Sequence, residues 1–335
     1  MPFFKRHKPD DFLAIGDIVT DAFIRISNAH VNVSGENKEL CMPYADKVPF
    51  EFVEVIRAVG NSSNAAVAAA RLGVSAGLVA NLGEDEEGKL CLRSLEAQHV
   101  DTAFISRHKG KKTNYHYVLW YDKDRTILVK HEEYEYKLPD LGEPKWIYLS
   151  SLGDHTETYH EEIADYCEKH PNAKLAFQPG TFQMKLGKEK LARIYARSEI
   201  FFCNVEEAER ILGKSGGVAV IKELMNSLHA LGPKIVVVTD GPNGSYGSDG
   251  QRQFFLAAYP DQKPALERTG AGDAFASTAT VAVMLGKDLE TAMKWGSVNS
   301  MSVVQEVGAQ KGLLSKAQLE AFLAQAPENW NGQNI

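Results

Sequence analysis

The stretch Glu267-Arg268-Thr269-Gly270-Ala271-Gly272-Asp273-Ala274-Phe275-Ala276-Ser277 decides how this 335-residue chain is read. It leaves an irregular segment holding Pro260 and Pro264 and enters small, helix-compatible residues from Ala274 to about Leu285. Two glycines at the mouth of a helix let the backbone bend so that several N–H groups point outward together. Those free N–H groups and the helix dipole make a seat for an anion. Asp273 falls in the first helical turn, where the same dipole favours its ionised form. An anion seat beside a carboxylate suits transfer of a phosphoryl group to a hydroxyl: the seat gathers the charge and the carboxylate takes the hydroxyl proton. The plainer alternative is a turn whose aspartate caps or charges a helix N-terminus. A dinucleotide loop fits less well. Its Gly-x-Gly-x-x-Gly/Ala pattern needs a small residue where Phe275 stands, and no strand leads tightly into Gly270.

Composition narrows the class. Hydrophobic residues make up 44% and charged residues 24%, ordinary for a soluble globular protein. The net charge of −7 argues against nucleic acid or an anionic membrane as the main partner. The basic run Lys5-Arg6-His7-Lys8 reads as a solvated tail, and no apolar run approaches transmembrane length. Cys41, Cys91, Cys167 and Cys203 form no Cys-x-x-Cys pair, so neither a zinc site nor a disulfide framework is indicated, and a cytoplasmic protein is expected.

Working outward from the glycine-rich stretch, the chain alternates strands and helices. Phe12-Leu13-Ala14-Ile15 is a core strand ending in Gly16-Asp17-Ile18-Val19-Thr20-Asp21, where two aspartates on a loop could accept hydrogen bonds from a polyhydroxylated ligand. Val59-Gly60-Asn61-Ser62-Ser63-Asn64 opens an alanine-rich helix that stops at Gly73; Asn61 and Asn64 either cap it or offer amides to a ligand. Trp146 to Leu149, Lys174 to Phe177 and Ile200 to Cys203 are short apolar strands separated by helical patterns, which predicts a parallel sheet with right-handed crossovers and helices on both faces. Asn204 then reads as an N-cap with Glu207 at N3, a variant capping box, or else as the outer shell of a hydrated magnesium ion. Leu212-Gly213-Lys214-Ser215 ends like a P-loop, but its first glycine would be Ala208 inside a helix, and that reading is rejected. Lys234 to Thr239 is a buried-type strand turning through Asp240-Gly241-Pro242-Asn243-Gly244.

Two segments break the alternation. Residues of about 22–52, and about 110–133 with a hairpin turning at Asp122 to Arg125, read as β insertions forming a small sheet, either a lid over a cleft or a dimerisation surface.

Together these motifs resemble the ribokinase-like (PfkB) family of carbohydrate and nucleoside kinases over nearly the whole chain. Thr269-Gly270-Ala271-Gly272-Asp273-Ala274-Phe275 is similar to the family's C-terminal signature, Gly60 to Gly73 to its N-terminal one, Asn204-x-x-Glu207 to its Asn-x-x-Glu motif, and Thr239-x-Gly241 to its nucleotide loop. The resemblance implies a three-layer α/β/α sandwich, mostly parallel, in one kinase domain over residues 1–335, with a small β-sheet lid. It implies an ATP- and Mg2+-dependent kinase acting on a sugar, or alternatively on a nucleoside; a silent sensor is the reading outside catalysis. Asp273 would be the base, and the backbone of Gly270, Ala271 and Gly272 the anion hole. Asp17, Asp21, Gly60, Asn61 and Asn64 would hold the substrate. Asn204 and Glu207 would position Mg–ATP through water, with Thr239, Gly241, Gly244 and Asn299 lining the nucleotide site. A monovalent cation, K+, would sit between the loops at Glu267 and at 308–315, and a homodimer would form through the lid. Val59 stands where the family has a glycine, and Glu267-Arg268-Thr269 where it usually has Asp-Thr-Thr.

Overall fold

A computed structural model describes residues 11–35, 37–122 and 124–335; the basic run at Lys5 to Lys8 and the hairpin residue Lys123 lie outside them. The chain opens with β1 (Phe12–Ile15), then β2 (Val19–Ile26), β3 (His30–Ser34), β4 (Asn37–Cys41) and β5 (Phe50–Val59). Next come α1 (Asn61–Arg71), β6 (Ala76–Gly83), α2 (Glu86–Ala97), β7 (Ile105–His108), β8 (Tyr115–Tyr121) and β9 (Asp124–Leu128). The middle runs β10 (Trp146–Leu149), α3 (Glu157–Lys169), β11 (Lys174–Phe177), α4 (Thr181–Leu186), α5 (Ala192–Arg197), β12 (Ser198–Asn204), α6 (Val205–Leu212) and α7 (Ile221–His229). It closes with β13 (Ile235–Thr239), β14 (Ser245–Ser248), β15 (Gln253–Leu256), α8 (Ala271–Met284), α9 (Leu289–Val303), α10 (Lys316–Ala324) and β16 (Gln333–Asn334).

The main sheet has the order β16-β15-β14-β13-β12-β11-β10-β1-β6-β7. Every pairing from β7 to β13 is parallel, and β14, β15 and β16 close one edge antiparallel. Parallel strands must be covered on both faces, which is why β1, β10 and β13 read as unbroken apolar runs. One face buries Phe12 and Ala14 with α1, α2, α8, α9 and α10; the other buries Leu13 and Ile15 with α3, α5, α6 and α7. The expected three-layer α/β/α sandwich is present. Among the described residues no helix is long and apolar enough to cross a membrane.

The insertions expected to form a lid make a second, separate sheet, β5-β2-β8-β9, with β3 and β4 as a separate ribbon. Its strands reach further than the expected 22–52, because β2 starts at Val19 and β5 runs to Val59. Asp21, expected on a loop, therefore sits on a strand, where alternation of side chains points it, Phe23 and, from paired β8, His116, Val118 and Trp120 to one face. Phe23, Val118 and Trp120 are buried against Val307, which follows α9. Burying such side chains contributes roughly 1.5–3 kcal/mol each, which holds the small sheet down on the body in this conformation.

Candidate active site

The glycine-rich stretch begins the central helix α8, which is buried from Asp273 to Ala282. Gly270 is its N-cap at φ +79° and brings no side chain to the first turn. Ala271 N–H reaches the Arg268 carbonyl at a long 3.4 Å, and the N–H groups of Gly272 and Asp273 have no intrahelical acceptor and are left for another partner. Beside them the Thr269 hydroxyl oxygen is buried without a hydrogen-bond partner. Ala271 and Gly272 form one wall of a cleft of ≈ 290 Å³, whose other walls include Thr239, Gly241, Gly244, Tyr259 and Ser300. The cleft ends at the open helix terminus, an arrangement suited to a ligand with an anionic end.

Asp273 is 9% exposed. Asn64 Nδ2 donates to Asp273 Oδ2 at 2.8 Å, and Gln178 Nε2 donates to Oδ1 at 3.3 Å. Burial pushes this carboxyl above the ordinary aspartate range, while the amides of Asn64, Gln178 and Asn61 pull it back. A buried carboxylate kept ionisable by neutral donors is what a proton acceptor requires. The donors are themselves held. Gln310 Nε2 donates to Asn64 Oδ1 at 3.0 Å, which fixes the amide's orientation, and the fully buried Tyr148 hydroxyl donates to Gln178 Oε1. Gly60 lets α1 deliver Asn61 and Asn64 here: its φ is +113°, and a Cβ would lie 2.6 Å from the Asp17 carbonyl oxygen.

Asp17 is buried, accepting from Tyr136 Oη at 2.8 Å and from Gly153 N–H at 2.6 Å. Burial, and then the Asp17 charge, hold the Tyr136 phenol well above its ordinary value, so it stays a donor. His131 Nδ1 lies 3.7 Å from Asp17 Oδ2, and His116 Nδ1 3.4 Å from Asp21 Oδ1. The two imidazoles are 5.2 Å apart, so both aspartates and both histidines form one cluster under the lid. Asp21 Oδ1, His116 Nε2 and His131 Nδ1 are buried and make no hydrogen bond.

At the start of α6, Asn204 and Glu207 form a reciprocal capping box: Asn204 Oδ1 accepts from Glu207 N–H at 2.8 Å, and Glu207 Oε2 from Asn204 N–H at 2.9 Å. Burial raises the Glu207 carboxyl, and the charge of Asp273 adds to it. No group of three or more ligating side chains able to hold a metal ion occurs among the described residues. Asn299 does not line the cleft. It is fully buried, donates to Thr278 Oγ1 at 2.7 Å and accepts from Leu314 N–H at 2.9 Å, so it ties α8, α9 and the following loop together. The same helix turns Ser297, Ser300 and Met301 to the cleft instead.

Gln178, Tyr136, His116 and His131 were not among the sequence candidates. Gln178 stands just past the C-terminal end of β11, a position that in a parallel sheet faces the ligand crevice, and that is the one signal that could have marked it.

The profile of the pfkB family carbohydrate kinases matches residues 54–316. A 5-dehydro-2-deoxygluconokinase of Bacillus subtilis is 25% identical over 285 residues, covering 79% of this chain and 86% of that protein. A nucleoside kinase of Methanothermobacter thermautotrophicus is 25% identical over 259 residues, covering 76% and 80%. The structure of Arabidopsis thaliana ribokinase complexed with ribose and ATP superposes with a TM-score of 0.79 at 19% identity, covering 94% of this chain and 99% of that one, which speaks to fold. With the match spanning well over half its length, the chain belongs to the pfkB family of carbohydrate kinases.

Proposed function

We propose that this protein transfers the γ-phosphoryl group of ATP to a hydroxyl of a sugar, with Asp273 as the base and the amides opening α8 as the anion hole. The observation that carries the reading is the pairing of Asp273 with Asn64 directly behind a helix N-terminus that no side chain caps. ATP lies along the cleft bounded by Thr239, Gly241 and Gly244, its phosphates toward Ala271 and Gly272. The buried Thr269 hydroxyl and the uncapped amides are donors that fit phosphate oxygens. Magnesium carried with ATP would neutralise charge on the phosphate oxygens. Glu207, whose Oε1 is not engaged by the capping box, and Asn204 would hold it through water. Asp273 accepts the proton of the attacking hydroxyl, and the lid excludes water.

On the acceptor side, Asp17, Asp21, Gly60, Asn61 and Asn64 line the sugar subsite, joined by His116 and His131. Their unsatisfied buried atoms suit a ligand rich in hydroxyls, which donate to carboxylates and accept from imidazole, as a free sugar or the ribose of a nucleoside would. A panel of aldoses, ketoses, sugar acids and nucleosides scored by ADP release tests this. Turnover of one or more sugars is expected; turnover of nucleosides alone would favour the alternative, and silence across the panel would leave a sensor.

We extend the proposal to a homodimer through the lid, supported by Phe50, Val53, Tyr117 and Leu128 standing exposed on that sheet. Sedimentation velocity is expected to give a dimer that Tyr117→Glu splits into monomers, and a wild-type monomer at every concentration would exclude it.

A further inference from the structure

One carboxylate fastens the two loops that flank the anion hole. Glu267 is 5% exposed. Its Oε2 accepts from Thr269 N–H at 2.6 Å, just before α8, and its Oε1 from Gly308 N–H at 2.8 Å, in the loop after α9. A charge this deeply buried needs a partner of opposite sign. That partner comes from the lid: Arg125 Nη1 lies 3.8 Å from Glu267 Oε2. Phe23, Trp120 and Asp124 close around the pair, and Arg125 Nε is buried without a hydrogen bond. The guanidinium is thus partly buried beside the carboxylate, with the Arg125 side chain 29% exposed.

Arg125 sits on β9, the edge strand of the lid, registered opposite Trp120. Its position is therefore set by the lid, not by the main sheet. The expectation of a monovalent cation at Glu267 does not fit these residues. Both carboxylate oxygens already accept backbone N–H groups, and a side-chain cation stands where an ion would balance the charge.

Resting on the kinase reading above, we propose that Arg125 is a positioning residue for phosphoryl transfer. As the counter-cation of Glu267, it sets the amides around the anion hole when the lid is down, and so replaces a monovalent ion with a charge that arrives only on closure. Lid closure and assembly of the hole become one event, which protects ATP from water while no acceptor is bound.

The test uses the full chain with Arg125→Met, which removes the charge but keeps much of the bulk, and Arg125→Lys, which restores a charge. Hydrogen exchange is read on peptides spanning 266–272 and 305–310, with 157–169 as an internal reference. Arg125→Met is expected to speed exchange several-fold in the first two and leave the reference unchanged. With a sugar identified by the panel, Arg125→Met is expected to lower kcat about tenfold or more while the KM for ATP holds, and Arg125→Lys to recover much of that loss. Replacing K+ by tetramethylammonium is expected to leave the wild-type rate unchanged. Wild-type exchange in both loops of Arg125→Met, or strong activation of the wild type by K+, would overturn the proposal. If exchange rises as expected but no acceptor is ever turned over, the kinase reading fails and the tie from Arg125 to these loops stands.

Discussion

Asp273→Asn is expected to lower kcat by about 10²–10⁴-fold, the range a positioned general base supplies, while ATP titrates the protein much as before. The substitution is nearly isosteric, and the side chain sits behind the cleft wall formed by Ala271 and Gly272, so nucleotide contacts survive. What disappears is the acceptor for the hydroxyl proton. The pH profile gives a second handle. Burial raises the Asp273 carboxyl, so the acid limb of kcat should lie above the ordinary carboxylate range, activity falling as pH drops through it. Asn64→Leu removes a donor that favours the charged form, and the limb should move further toward neutral pH. An unmoved limb, or near-normal turnover by Asp273→Asn, would take the base role away from this residue.

Gly270→Ala is the second large effect, and it acts through the backbone. At φ +79° a side chain is strained by roughly 1–2 kcal/mol. The added Cβ would also meet Ala309 Cβ at 2.2 Å and Cα at 2.6 Å. Ala309 cannot easily retreat, because its neighbour Gly308 is fastened to Glu267. The first turn of α8 must therefore shift, displacing the amides that would hold the transferring group. Losing one such donor typically costs about 10²–10³-fold, so kcat is expected to fall by at least about 10²-fold, with a Tm lower by a few degrees. Gly272→Ala is the control: its Cβ would meet only Gln178 Nε2, at an ordinary 3.7 Å, so the Tm should hold. Equal losses of Tm in the two variants would contradict the steric argument.

The sequence carried what is local. Thr269 to Phe275 read as an open helix terminus because glycine spacing and the small residues behind it act within one turn. The Asn204 and Glu207 box was legible for the same reason, as were β1, β10 and β13, whose apolar runs only a covered parallel sheet explains. What the sequence does not carry is facing. Asn299 and Ser300 are neighbours on a helix buried on several sides, and no periodicity says which turns to the cleft; Thr278 and Leu314 decide it. Asp21 reads as a loop residue because nothing in Val19-Thr20-Asp21 announces that the strand starts at Val19. Asn64 meets Asp273 across 209 positions, and only a family pattern could have paired them. His116 and His131 are brought together by the lid hairpin, and Gln178 meets Asp273 through the sheet order, none of it written in a motif.

The central claim is that one carboxylate and one open helix terminus face the same transferring group. A crystal structure of the wild type with ADP, aluminium fluoride, magnesium and an accepted sugar tests it most directly. The fluoride ligands should lie within hydrogen-bond distance of the Gly270 to Gly272 amides, with the acceptor hydroxyl against an Asp273 carboxylate oxygen. An acceptor hydroxyl bound to another base, or a metal fluoride seated away from α8, would contradict the account.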